Sequence, residues 1–253
     1  MYHISWLECG LCAMQCVHLE GAHDMPITTC IFDAYGTLFD VASAAREAAA
    51  EPEFAMIAET WPTIANDWRL KQLQYTWLRA ITGEHTDFWE VTGNGLDWAL
   101  ERSGLAGEAA LRERLMALYW ELSAYPEVPG MLDTLTSAGF KTGILSNGSP
   151  EMLAGAVKSA GIARHLDHVL SVESVGIFKP AQAVYDMVGT AFDCAPNEVL
   201  FVSSNGWDVA GATGYGFNTV WVNRAAEPVD RLPHRPAHVL DDLTPIPDLA
   251  RTF

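Results

Sequence analysis

The apolar positions of the chain change period twice, and the changes divide it. Thr28-Thr29-Cys30-Ile31-Phe32 is a short β-rich run that stops at Asp33 and is followed by the turn-prone Ala34-Tyr35-Gly36-Thr37. It predicts a strand with a carboxylate at its C-terminal tip. From about 41 to 124 the period is helical. Trp61, Ile64, Trp68, Leu70, Leu73, Trp77 and Ile81 recur at the spacing of a helix, and 87–102 and 108–122 continue it between breaks at Gly83, Gly104 and Gly107. After Pro126 and Pro129-Gly130, helices and short apolar strands alternate: helix 130–138, strand 141–146, helix 150–160, strand near 167–172, helix 181–191, strand 198–203, helix 207–214, strand 217–222. Such alternation predicts a parallel sheet with helices on both faces, interrupted after its first strand by an all-helical insert. The tail, with Pro228, Pro233, Pro236, Pro245 and Pro247, reads as mostly extended apart from a short strand at His238-Val239-Leu240.

Composition acts mainly by exclusion. The 253 residues allow one large domain or a main domain with an insert, and with 49% apolar and 19% charged residues the chain reads as globular. No apolar run approaches the ~18 residues of a membrane span. A net charge of −17, from 32 acidic and 15 basic side chains, opposes any polyanion. Neither a nucleic acid nor a membrane is therefore expected as a partner, and a small anionic substrate must be held by a few placed cations. The five cysteines, Cys9, Cys12, Cys16, Cys30 and Cys194, form no disulfide framework for this length. Cys9-Gly-Leu-Cys12 with His18 and His23 lacks the second ligand pair of a structural zinc site, so no metal is expected there. The first cation is Arg46, which removes the positive n-region of a secretory signal and points to the cytoplasm. Residues 1–24 are expected to be a disordered extension, with Met25-Pro26 resembling a second start.

In open parallel sheets the site lies beyond the carboxyl ends of the strands. The segments there are Asp33-Ala34-Tyr35-Gly36-Thr37, Ser146-Asn147-Gly148, Lys179-Pro180 and Ser203-Ser204-Asn205-Gly206-Trp207-Asp208. Each alone has an ordinary explanation: a turn acid, a helix cap before Pro150, a surface lysine before proline. Together and in this order they resemble the haloacid dehalogenase-like superfamily and, within it, the bacterial (S)-2-haloacid dehalogenases. The likeness covers 26 to about 225, including 68–79 and Asp87-Phe88-Trp89, which look like that family's cap helices. It implies an α/β fold: a Rossmann-like three-layer core with a mostly parallel sheet, over 25–40 and 125–253, and a helical cap domain, 41–124, inserted after the first strand.

The superfamily's larger branch consists of magnesium-dependent phosphatases, and residue chemistry separates the branches. A phosphatase needs Asp-x-Asp at the first tip, one acid to attack phosphorus and one to protonate the alkoxide. Tyr35 replaces the second acid, and a phenol of pKa ~10 is a poor proton donor at neutral pH, whereas a departing halide needs no proton. At the fourth tip a Gly-Asp-x-x-x-Asp pattern would supply two carboxylates for magnesium, and only Asp208 is kept. Both departures favour displacement at carbon. The resemblance then implies hydrolysis of a short (S)-2-haloalkanoic acid to an (R)-2-hydroxy acid and halide, through an ester on Asp33, without a cofactor.

Roles follow from the same resemblance. Lys179, one of four lysines, stands beside Asp33 and Asp208 in place of the metal charge. Asp208 and Asn205 position or activate the water, Ser203 and Thr37 hydrogen-bond the carboxylates, and Tyr185 donates a hydrogen bond within the site. Ser146 binds the substrate carboxylate, while Asn147 and Arg69 face the departing halide. Tyr35, Leu73, Phe88 and Trp207 wall the C2 substituent. Leu70 occupies a position that often carries glutamine in relatives. Tyr75, Trp77, Leu78 and Leu118-Tyr119-Trp120 suggest a homodimer formed through the cap, although cap-to-core packing accounts for the same residues. Two other readings stand beside this one, the magnesium-dependent phosphatase and a non-catalytic anion-binding module.

Overall fold

A computed structural model of the chain describes residues 26–253. The expectations for residues 1–24, among them the extension and the group Cys9, Cys12, Cys16, His18 and His23, lie outside the described residues. One sheet holds β1 (Thr29–Phe32), β2 (Lys141–Ser146), β3 (His168–Ser171), β4 (Val199–Ser203), β5 (Asn218–Val222) and β6 (His238–Leu240), in the order β3-β2-β1-β4-β5-β6. Every pairing is parallel. β1 and β4 are buried along their whole length, as strands covered on both faces by crossover helices must be. β1 is central, with Phe32 opposite Ile144 on one side and Val202 on the other. Connections lead away from it in both directions and leave a crevice beyond its tip. Asp33 sits there, its N–H continuing the ladder to the Val202 carbonyl at 2.9 Å.

Four helices lie between β1 and the rest of the core: α1 (Ser43–Ala50), α2 (Trp61–Thr82), α3 (Phe88–Arg102) and α4 (Ala109–Trp120). The segment leaves and rejoins the core at one place, where Asp40 N–H donates to the Ser123 carbonyl (2.9 Å) and Tyr125 N–H to that of Leu38 (3.0 Å). Local chemistry sets the boundaries. Gly83 ends α2 in the left-handed conformation at φ 75°, and the Asp87 side chain caps α3 by accepting from Glu90 N–H at 2.9 Å. The core continues with α5 (Val128–Ser137), α6 (Pro150–Ala160, capped by Ser149), α7 (Gln182–Phe192) and α8 (Gly206–Tyr215).

Two expectations change. The predicted stripe on α2 is buried only in its first half, at Ile64 and Trp68. Ile64, Trp68, Gln72 and Thr76 face inward, while Leu70 and Ile81 are 53% and 83% exposed. Positions four apart form one row along a helix, and this row packs on α3. Its two polar members are hidden from any count of apolar spacing. Gly95 of α3 permits the approach, because a Cβ there would stand 3.1 Å from the Gln72 nitrogen and 3.3 Å from the Trp68 carbonyl oxygen. The tail is also less extended than expected. It ends in α9 (Ile246–Ala250), whose Pro247 lies in the first turn, where a missing N–H loses no helical bond. No helix among the described residues is long and apolar enough to cross a membrane.

Candidate active site

A single ammonium serves two carboxylates at the tips of the central strands. Lys179 Nζ lies 2.8 Å from Asp208 Oδ2 and 3.2 Å from Asp33 Oδ1, with all three side chains buried. The lysine comes from the loop between β3 and α7 and is held by its backbone, since its N–H donates to Asn147 Oδ1 at 3.0 Å. Burial works against the charged lysine, but Asp208 and then Asp33 outweigh it and hold the ammonium above its usual pKa. Asp208, in the first turn of α8, is driven the other way from an ordinary salt-bridged acid. Complete burial raises its pKa, the Lys179 charge opposes this, and Asp33 adds to the rise. One cation cannot fully compensate two carboxylates in a dry site. Tyr185 donates to Asp208 Oδ1 at 2.8 Å. Burial, and next the Asp208 charge, push the phenol well above its usual pKa, so it stays a donor.

Asp33 Oδ2 has two donors, Thr37 Oγ1 and Asn205 Nδ2, each at 3.0 Å. Ser204 contributes from β4's end, where its N–H donates to Thr37 Oγ1 at 2.8 Å and thereby leaves the threonine proton for Asp33. The turn that makes this possible needs Gly36, at φ 90°, where a Cβ would meet Ser204 Oγ at 3.0 Å. Ser203 departs from its expected part. Its Oγ accepts from Asn205 N–H at 3.1 Å and shapes the start of α8, with no bond to either carboxylate. Ser146 Oγ accepts from Gly148 N–H at 3.0 Å in the turn leading to α6, and Asn147 spends Oδ1 on Lys179, leaving its amide donors to face a ligand.

From α2, Arg69 reaches across the crevice. Nη2 donates to the Tyr35 carbonyl at 2.8 Å and to Asn205 Oδ1 at 3.3 Å, and Nη1 donates to Gln72 Oε1 at 2.8 Å. Tyr35 lies in an aromatic group, 5.6 Å from Tyr119 in a stacked pair and 5.8 Å from Phe88 between ring centroids. Leu73 and Trp207 line, with Ser204 and Asn205, a cleft of about 520 Å3 between α2 and the core. The Tyr35 hydroxyl and the Trp207 indole N–H are buried with no hydrogen-bond partner among the described residues. Of the residues considered for a subunit contact, Tyr119 is buried and Trp77 packs edge-on against Trp207 at 5.3 Å. Leu78 is 54% exposed. Leu70 points outward, so its departure from glutamine does not alter the pocket wall.

The donor set does not suit magnesium. Among the described residues no three His, Cys, Asp or Glu side chains gather to hold a metal ion. The backbone carbonyl of Tyr35 is taken by Arg69, and the two carboxylates at the tips converge on an ammonium. Tyr35 cannot stand in for the missing acid either. Burial, followed by the neighbouring Tyr119 and Asp33, pushes its phenol well above the usual pKa. Thr92 and Ser204 escape sequence reasoning because each acts through a partner distant in the chain, and Gln72 because a polar residue inside a helical period gives no sign of being buried.

Such a fold and site define a capped α/β protein with a lone carboxylate, flanked by an ammonium and a guanidinium, at the tip of its central strand. Known proteins share this fold. The family described as haloacid dehalogenase-like hydrolase matches residues 27–216. (S)-2-haloacid dehalogenase 1 of Pseudomonas sp. (strain CBS-3) is 43% identical over 224 residues, which cover 88% of this chain and 96% of that one. A crystal structure of an L-2-haloacid dehalogenase superposes with a TM-score of 0.84 at 40% identity, covering 89% of this chain and 99% of the other. The Xanthobacter autotrophicus L-2-haloacid dehalogenase with chloropropionic acid covalently bound gives a TM-score of 0.78 at 35% identity, over 89% and 98% of the two chains. The chain belongs to the haloacid dehalogenase-like hydrolases and, among them, to the family of the (S)-2-haloacid dehalogenases.

Proposed function

We propose that the protein hydrolyses short (S)-2-haloalkanoic acids to (R)-2-hydroxy acids and halide, with Asp33 as nucleophile. The arrangement of the Asp33 carboxylate carries the reading. Oδ1 has one long contact, 3.2 Å to Lys179, and keeps the more available lone pair, whereas Oδ2 is held by two donors at 3.0 Å. Oδ1 attacks C2 in line with the carbon–halogen bond, the carbon inverts, and the electron pair leaves with the halide, which Arg69 and Asn147 receive. Substrate carboxylate is held by Ser146 and the backbone donors at the start of α6.

The resulting ester leaves Oδ2 as its carbonyl oxygen. Water attacks that carbonyl carbon, and the negative charge develops on an atom already facing Thr37 and Asn205, which is how an oxyanion site works. Asp208, whose proton affinity is raised, takes the proton from water, and Lys179 holds both carboxylates in register. Asp208 returns this proton to the departing alkoxide oxygen, the hydroxy acid leaves, and the Asp33 carboxyl group releases its own proton to solvent and is again a carboxylate. The relative with chloropropionic acid covalently bound supports an enzyme-bound intermediate. The same reading includes a cytoplasmic enzyme and a homodimer formed through the cap. Free Cys30 and Cys194 and the exposed Leu78 and Ile81 on α2 support these, and light scattering at micromolar protein tests the second.

Halide release from the separate enantiomers of 2-chloropropionate, before and after EDTA treatment, tests the activity. Chloride and (R)-2-hydroxypropionate are expected from the (S) form alone, with no loss after EDTA. Absence of halide together with magnesium-dependent phosphate release from an aryl phosphate would replace this reading by the phosphatase.

A further inference from the structure

The aim of Arg69 depends on a buried amide that the reaction does not touch. Gln72 is 1% exposed on the face of α2 that packs on α3. Its Oε1 accepts from Arg69 Nη1 at 2.8 Å, its Nε2 donates to Thr92 Oγ1 at 2.7 Å, and the Tyr119 hydroxyl lies 3.0 Å from Nε2 and 3.2 Å from Oε1. The orientation of this amide is determined from both ends. Arginine can only donate, so Oε1 must face it. Thr92 uses its proton on the Phe88 carbonyl at 2.7 Å, so towards Gln72 it can only accept, and Nε2 must face it. Packing alone would be served as well by an apolar side chain, so a buried amide whose oxygen and nitrogen are both matched is there for its hydrogen bonds.

We propose that Gln72, locked by Thr92 and Tyr119, is a positioning residue that aims the Arg69 guanidinium at the leaving halide; the inference rests on the dehalogenase reading above. With Nη1 fixed on the cap side and Nη2 fixed on Tyr35 and Asn205, the guanidinium plane is set before substrate arrives. Among the described residues the Nε hydrogen has no partner and is left for an anion. Pre-set donors of this kind act on charge that develops as a bond breaks. Gln72 therefore assists departure of the halide first, and bears on the later hydrolysis of the ester only through the 3.3 Å contact of Arg69 with Asn205.

Gln72→Leu and the isosteric Gln72→Glu test this, the second removing the neutral acceptor by placing a carboxylate against Arg69 while keeping the shape of the cap. Single-turnover quenching of the full enzyme separates ester formation from ester hydrolysis. In both variants ester formation from 2-chloropropionate is expected to slow about 10-fold, with ester hydrolysis and KM little changed. The bromo-to-chloro rate ratio rises, and inhibition by free chloride weakens by a similar factor. Thermal unfolding identifies the variants that are folded. Unchanged ester formation, leaving-group ratio and chloride inhibition in a folded variant overturn the inference while the dehalogenase reading stands, as does an equal slowing of both steps. A wild-type enzyme that releases no halide overturns the reading and this inference with it.

Discussion

The two halves of the site are built on opposite plans. On the core side, charges hold one another: Lys179 is bound between Asp208 and Asp33, and all three are buried. On the cap side one charge, Arg69, is held by neutral groups, namely a carbonyl and two amide oxygens. The core half is thus a structural unit as well as a reactive one, because removing Lys179 strands two buried carboxylates without their cation. The cap half, on losing its charge, leaves only neutral oxygens without a donor and no unpaired ion. Loss of Lys179 should therefore fall on folding and activity together, and loss of the Arg69 donors mainly on activity.

The largest effects are expected on the core side. Asp33→Ala should abolish ester formation. Lys179→Met should remove activity as well and lower stability by about 3–5 kcal/mol, the usual penalty for leaving buried carboxylates without their cation, measured by denaturant unfolding. Equal unfolding midpoints for Lys179→Met and wild type would erase the distinction between the halves. On the cap side, Arg69→Lys keeps the charge and loses the fork of donors. A fall in kcat of about 100-fold with an unchanged unfolding midpoint is expected, in the range for loss of a pre-set donor.

The pH dependence sharpens the same contrast. Lys179 titrates above its ordinary value of 10.5, so its contribution to stability is complete below that value and is lost only as pH rises through the higher folded value. Asp208 titrates above its ordinary 3.8. Its carboxylate form is disfavoured by folding, so stability gained by protonation is lost as pH rises through its folded value. A profile of kcat should therefore fall on the acid side at a pH above 3.8 and hold beyond 10.5 on the alkaline side. An alkaline fall near neutrality would mean that the lysine loses its proton early. The smallest effect belongs to Leu70→Gln, at an exposed position on α2, which should leave kcat and KM for 2-chloropropionate within about twofold.

The core half was readable in the sequence because each of its members follows a strand, and strands announce themselves by short apolar runs. Asp33, Lys179 and Asp208 could be placed at one end of a sheet before any geometry was known. The cap half was readable only by resemblance, since Arg69 alone is an ordinary helical arginine. Helical spacing pointed correctly to Ile64 and Trp68 but also to Leu70 and Ile81, which face solvent, while the buried row continues through Gln72 and Thr76. A polar residue buried for its hydrogen bonds breaks the apolar period that would reveal it. Ser203 and Ser204 show the same limit at shorter range. Adjacent serines at a strand tip are chemically equal candidates, and the turn's backbone decides that Ser204 supports Thr37 while Ser203 shapes the start of α8.

The central claim is that an oxygen of Asp33 bonds to carbon and that water then attacks the carboxyl group. A single turnover with excess enzyme in water enriched in heavy oxygen tests it directly, with mass analysis of the peptide containing Asp33 and of the hydroxy acid. The expected result is one heavy oxygen in the Asp33 side chain and none in the first product formed. Label in the first product, with Asp33 unlabelled, would mean that water displaces the halide itself and would contradict the claim.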